Sequence, residues 1–127
     1  MANGAPTQAL RRLADCWTRG DADGAAALFA SAAMYSEPPR FRFAGRAAIH
    51  AFFADFAARH HAVSFTILRV LERPDGALAA AEWRFAHTRT ADNTRATYEG
   101  SAWIELDAAG LVTHWRGYSA RVEPQAP

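Results

Sequence analysis

The first residue able to do chemistry in this sequence is a single carboxylate. Glu37 closes the run Tyr35-Ser36-Glu37 and is followed by Pro38 and Pro39. A carboxylate with apolar neighbours has its charged form disfavoured, so its pKa rises and it becomes a usable general base near neutrality. Arg40, Arg42 and Arg46 lie close by in sequence, and an ion pair to one of them is the other reading of Glu37. His87 is the second ionisable candidate. It falls on one alternating face with Phe85, either as a proton relay or hydrogen-bond donor or as a rim histidine in contact with water. Tyr35 and Tyr98 add phenols. The chain offers no Ser/His/Asp or Cys/His arrangement, no glycine-rich phosphate loop and no metal motif. The pair His60-His61 suits a helix C-terminus better than a metal site, because no third ligand has the spacing. Arg40-Phe41-Arg42-Phe43 alternates, either as an anion-binding pair of arginines or as a short edge segment with its phenylalanines inward. Cys16 is the only cysteine. It allows no intrachain disulfide and no cysteine-based cage, and reads as a small residue packed beside a helical stripe.

These groups need elements to hold them. At 127 residues, half of them apolar and with net charge +1, the chain has the size of one domain with one core. The charge balance gives no case for nucleic acid or an anionic membrane surface. No apolar run is long enough to span a bilayer, and residues 1–6 lack the basic and apolar pattern of a signal peptide, so a cytoplasmic protein is expected. Thr7 is a plausible N-cap for an amphipathic helix with Leu10, Leu13, Ala14 and Trp17 as its stripe, ended by Gly20. Asp21 caps a second, shorter helix that reaches Leu28-Phe29. Residues 32–35 read as a short strand stopped by the two prolines. Gly45 opens a third helix over 46–60, with Ile49, Phe52, Phe53 and Phe56 on one side. Four long alternating segments follow, 63–73, 77–90, 94–106 and 111–121, separated by turn signals at Pro74-Asp75-Gly76, Ala91-Asp92-Asn93 and Asp107-Ala108-Ala109-Gly110. The expected class is α+β: a cone-shaped, curved antiparallel sheet wrapped on three N-terminal helices. Residues 1–6 form a lead-in, 7–121 the domain, and 122–127 a tail.

With the elements in place, several stretches look familiar. Gly20-Asp21-Ala22-Asp23-Gly24, Ala27-Leu28-Phe29-Ala30, Tyr35-Ser36-Glu37-Pro38, Gly45-Arg46-Ala47-Ala48-Ile49 and the hairpin from Asp107 to Tyr118 together resemble the nuclear transport factor 2-like superfamily. Within it the pattern is similar to ketosteroid isomerases and SnoaL-like polyketide cyclases. The resemblance implies a cone with an apolar pocket and commonly a homodimer; no cofactor is expected. It also places Glu37 where the isomerase base stands, one methylene longer than the aspartate usual there. The isomerase oxyanion tyrosine corresponds to Leu13, and its protonated aspartate to Ala102. Both hydrogen-bond donors are thus replaced by alkyl groups, and losing one such donor lowers the rate on the order of 10²–10³-fold. The epoxide hydrolase branch puts a catalytic aspartate where Gly117 stands, and an arginine and aspartate near Trp83 and Phe85, so that chemistry is argued against as well.

The alternation predicts an interior lined by Leu13, Trp17, Tyr35, Phe53, Phe56, Trp83, Phe85, Tyr98, Ala102, Ile104 and Trp115, with room left by Ala102, Gly117 and Ser119. Such a lining suits a small hydrophobic molecule. The opposite sheet face carries Glu82, Arg84, Glu99, Ser101, Trp103, Glu105, His114, Arg116 and Tyr118, either as the contact with a second copy of the chain or as a solvated face stabilised by opposite charges across strands. Three functions remain open: a general-base enzyme acting on a hydrophobic carbonyl compound with Glu37 as its base, a non-catalytic binder of such a compound, and a dimeric interaction module.

Overall fold

A computed structural model describes residues 4–123. The elements follow in the order α1 (Ala5–Arg19), α2 (Ala22–Ala26), β1 (Phe29–Glu37), β2 (Phe41–Ala44), α3 (Arg46–Arg59), β3 (His60–Glu72), β4 (Leu78–Arg89), β5 (Arg95–Leu106) and β6 (Val112–Arg121). The tail residues 124–127 and the lead-in residues 1–3 lie outside the described residues.

Helix α1 buries Leu10, Leu13, Ala14 and Trp17 along one stripe, as its 3.6-residue spacing requires. Its start differs from expectation. The helix begins at Ala5, not after Thr7, and Pro6 occupies the first turn, where a missing N–H does no harm. The capping group comes from a distant part of the chain. The Glu72 carboxylate on β3 accepts the backbone N–H groups of Gly4 and Thr7 at 3.3 and 3.0 Å and the Thr7 hydroxyl at 2.6 Å. A carboxylate at a helix N-terminus also faces the positive end of the helix dipole. Gly20 closes α1 in the left-handed conformation, φ 70°, and the Asp21 side chain caps α2 by accepting the Gly24 N–H at 2.9 Å.

The six strands form one curved sheet in the order β2-β1-β6-β5-β4-β3. Neighbours are antiparallel at every junction but one: β1 and β6 run parallel. Local alternation is silent about that junction, because β1 and β6 meet only after a helix and three long strands have come between them. Having partners on both edges also lengthens β1 beyond the expected 32–35, to Phe29–Glu37. Helix α3 stops at Arg59, and His60 already has extended backbone as the first residue of β3.

The concave face holds the core. Leu10, Leu13, Phe29, Ile49, Ile104 and Trp115 are all but inaccessible. Along β5, Ala102, Ile104 and Leu106 are buried while Trp103 between them is 52% exposed, so the period-2 reading of that strand holds. The convex face carries Trp103 and Tyr118 among ion pairs such as Arg84–Glu99 at 2.6 Å and Arg69–Glu82. Exposed pairs of this kind add little stability. No helix is long and apolar enough to cross a membrane among the described residues.

Candidate functional site

Glu37 is the last residue of β1, and the chain reverses immediately after it. The Arg40 N–H donates to the Glu37 carbonyl at 2.9 Å, across a cis Pro38-Pro39 peptide. The reversal brings the Arg40 side chain back over the strand end. Its Nη2 donates to Glu37 Oε2 at 2.8 Å and to Ser119 Oγ at 2.5 Å, while the guanidinium carbon lies 5.6 Å from the centre of the Tyr98 ring. Glu37 is therefore both paired with an arginine and buried at the cavity wall. The residue is 8% exposed. Burial raises its pKa above the ordinary carboxylate value, against the opposing charge of Arg40 and the indole N–H of Trp115. That N–H lies beside the carboxylate without regular hydrogen-bond geometry.

Gly117 explains how the carboxylate fits. A Cβ at position 117 would stand 2.9 Å from both Glu37 Oε1 and Trp115 Nε1. The glycine does not leave room for a ligand, as the sequence suggested. Its missing side chain is replaced by the Glu37 carboxyl group itself.

Above Glu37 the cone opens into a cavity of about 850 Å³. Ten of the fifteen anticipated residues line it: Glu37, His87, Trp17, Tyr35, Phe56, Trp83, Phe85, Tyr98, Trp115 and Ser119. The other five do not. Leu13, Phe53, Ala102 and Ile104 are 0–2% exposed and packed in the closed end of the cone, and Gly117 is covered by Glu37. Their side chains point inward as the alternation predicts, but at a depth where helices and sheet already touch. Ser119 lines the cavity with its hydroxyl engaged by Arg40.

The lining aromatics pack edge to face. Trp17 meets Phe53, Phe56 and Phe85 at centroid distances of 4.6, 5.0 and 5.4 Å, and Tyr35 stacks on Trp115 at 5.5 Å. The Tyr35 hydroxyl has no hydrogen-bond partner among the described residues. Burial first, then the nearby Glu37 charge, holds its phenol protonated well above the usual tyrosine range, so it remains a donor. His87 sits 5.1 Å from Phe56 and 4.6 Å from His60, with its Nδ1 buried and unpartnered. Burial and then the charges of His60, Arg95, Arg89 and Arg121 lower its pKa to about 4. At neutral pH it is an uncharged imidazole that can accept or donate one hydrogen bond.

Sequence reasoning missed several lining residues. His60, expected at the end of α3, instead opens β3, donates through its Nδ1–H to the Phe56 carbonyl at 2.9 Å, and stacks on the Phe56 ring. Phe41 and Phe52 join the wall beside Tyr35. Arg89 and Arg121 also line the cavity. Their signal was present: the alternation that carries His87 inward carries Arg89 inward two residues later, and Ser119 predicts Arg121 in the same way. The Arg40/Arg42 pair divides. Arg40 enters the site, while Arg42 stays outside against the Met34 sulfur at 3.2 Å. Cys16 is a buried free thiol whose pKa is raised by burial. No group of three or more His, Cys, Asp or Glu is placed to hold a metal ion among the described residues.

A family model described as a SnoaL-like domain matches residues 10–115. None of the curated proteins compared matches in sequence. Among solved structures, Δ5-3-ketosteroid isomerase from Mycobacterium sp. is 21% identical, with 94% of this chain and 99% of that one covered at a TM-score of 0.81. An LEH-like epoxide hydrolase from M. tuberculosis is 19% identical over 91% of this chain and 83% of that one, TM-score 0.79. A computationally designed 17-OHP binder is 18% identical over 96% and 100%, TM-score 0.82. At these identities the likeness is one of fold.

Proposed function

The chain belongs to the SnoaL-like domain family, and from that premise we propose that its cavity binds a small hydrophobic carbonyl compound and that Glu37 moves a proton next to the carbonyl. The observation that carries this reading is a carboxylate, 8% exposed, at the wall of an aromatic cavity and with its pKa raised by burial. Such a group is basic enough to take a proton from a carbon acid and acidic enough to return it. In the step envisaged, Glu37 takes the proton from the carbon beside the carbonyl. The C–H electron pair passes into the enolate, and the same carboxyl group returns the proton at a second carbon. Arg40 anchors one oxygen of the carboxylate, and the free Tyr35 hydroxyl is the donor for the enolate oxygen. An isomerase with this fold supports the assignment of chemistry by analogy.

The test is exchange of the α-protons of a hydrophobic cyclic ketone in deuterated water, followed by proton NMR. Glu37→Gln is expected to slow exchange about 10²- to 10⁴-fold. An unchanged rate removes Glu37 from the mechanism.

A second reading rests on Leu13 and Ala102, which put buried alkyl groups where the isomerases have oxyanion donors. On that reading the cone is a receptor for the same class of compound. Thermal stabilisation by the ketone without any α-proton exchange decides for the receptor. We further propose that the convex face, with Trp103 52% and Tyr118 45% exposed, meets a second copy of the chain. Trp103→Ala should then lower the sedimentation mass, and identical masses before and after the change exclude that contact.

A further inference from the structure

The charges around the cavity are strongly one-sided. Among the described residues five arginines line it, Arg40, Arg59, Arg89, Arg95 and Arg121, against one carboxylate, Glu37. The whole chain has a net charge of only +1. The imbalance is therefore local and is compensated elsewhere on the molecule. Glu37 is already taken by Arg40. The acids that approach the other arginines, Asp55 to Arg59, Asp92 to Arg89 at 3.6 Å and Glu123 to Arg121 at 3.6 Å, are not part of the lining. Arg95 has no carboxylate partner among the described residues, and its Nη1 goes to the Ala62 carbonyl and the Thr88 hydroxyl.

Position sorts these cations. Arg89 and Arg121 continue the inward-facing series of β4 and β6, beyond His87 and Ser119, at the strand ends that form the rim. Both line the aromatic chamber, Arg121 level with Tyr98 and Phe85 across the ladder and Arg89 farther out along β4. A neutral hydrophobic ligand has no use for such a ring, whereas a guanidinium presents paired donors that match the oxygens of a carboxylate, sulfonate or phosphate. Both side chains are more than half exposed, so their attraction for an anion is sensitive to salt. His87, just inside, is kept uncharged by burial and by these same arginines, as expected where positive potential accumulates.

We propose that the ligand of this cavity is an amphipathic anion, with an apolar, flat body inside the cone and one acidic group at the rim between Arg89 and Arg121. This rests on the reading of the cavity as an apolar binding site and narrows its ligand class. It makes the proton-transfer substrate a carbonyl compound that carries a carboxylate or an equivalent anion at the end remote from Glu37.

Two dyes with the same aromatic body separate the two statements. 1-Anilinonaphthalene-8-sulfonate carries an anion and N-phenyl-1-naphthylamine does not. Binding of each is followed by fluorescence titration of the full chain at low salt, in the native protein and in an Arg89→Gln/Arg121→Gln double variant whose fold is checked by circular dichroism. The double variant is expected to bind the sulfonate about tenfold more weakly and the neutral dye within about twofold of the native protein. In the native protein the sulfonate affinity alone should fall as salt is raised from 20 to 300 mM, on the order expected for screened charge; this measurement stands even if the double variant does not fold. Equal loss for both dyes, or a sulfonate affinity untouched by both substitution and salt, overturns the proposal while leaving the apolar site intact. Failure of both dyes to bind overturns the apolar site as well.

Discussion

The closed base of the cone and its open mouth are built from the same strands, and their difference is one of depth. Along β4 the inward-facing residues run Ala79, Ala81, Trp83, all 2–3% exposed, then Phe85 and His87, half-buried, then Arg89, exposed. Strand β5 follows the same course in the opposite direction, from Leu106, Ile104 and Ala102 to Tyr98. Strand β6 goes from Trp115 and Gly117 to Ser119 and Arg121. Each strand thus begins as core and ends as the wall of a cavity. Helix α1 packs against β3, β4 and β5 and fills the concave side. Past its reach the sheet continues as the wall of the cavity, bordered by Phe52, Phe56 and Arg59 of α3. Side chains there change from alkyl to aromatic to charged, because each must satisfy a progressively wetter surrounding.

The comparison is broken most directly by stability. At the base, Ile104→Ala leaves a void among close-packed neighbours and is expected to cost about 2–5 kcal/mol. At the mouth, Arg89→Ala removes an exposed side chain and should change stability by less than about 0.5 kcal/mol. Urea unfolding of the two variants measures both. Equal losses would mean that the rim is part of the cooperative core and that no cavity separates them.

The boundary between the two regions lies at Gly117, and an intermediate effect is expected there. Gly117→Ala places a methyl carbon 2.9 Å from Glu37 Oε1 and Trp115 Nε1. Overpacking of this kind costs about 1–3 kcal/mol. The flexible partner is the carboxylate, so Glu37 should be pushed toward the mouth and its pKa should fall back toward the ordinary value. Carboxyl-carbon NMR titration reads that change. A variant with native stability and a native Glu37 titration would show that the carboxylate does not occupy the space the glycine leaves.

Legibility in the sequence follows the same division. The fold class was legible because periodicity reports which face an element buries, as at Leu10, Leu13 and Trp17 in α1 and at Ala102 and Ile104 in β5. The turns at Gly20, Gly76 and Gly110 were legible because each has positive φ and needs a glycine. What alternation does not encode is depth along a strand, so Leu13, Phe53, Ala102 and Ile104 read as cavity wall when they are base. It does not encode pairing over long separations either, which is why the parallel β1–β6 junction and the capping of α1 by Glu72 came only from the structure. Glu37 was found from its local surroundings, and Arg40 was among the partners considered. That one arginine would bind Glu37 and Ser119 together depends on the β1–β6 junction, and sequence spacing could not supply it.

The smallest expected effect is the most specific to the mouth, and it concerns protons. His87 is packed by Phe56, Phe85, Tyr98 and His60 and lies in the field of Arg89, Arg95 and Arg121. Its folded pKa, about 4, lies below the ordinary value of 6.5, so between those values the unfolded chain binds a proton that the folded protein does not. Its contribution to stability is complete above pH 6.5 and is lost as the pH falls toward 4. Glu37 acts with the opposite sign. Its pKa is raised, so its contribution is complete below the ordinary carboxylate value and is lost as the pH rises through the folded pKa. The two slopes therefore oppose each other on the acid side, where Glu72, Asp75 and Asp92, with lowered pKa values, add to the loss. His87→Gln removes one of the two slopes. The melting temperature of this variant should fall less than that of the native protein between pH 6.5 and 4, with the two curves running parallel above pH 7. Parallel curves across the whole range would mean that the imidazole reaches solvent freely, and that the mouth is as wet at His87 as it is at Arg89.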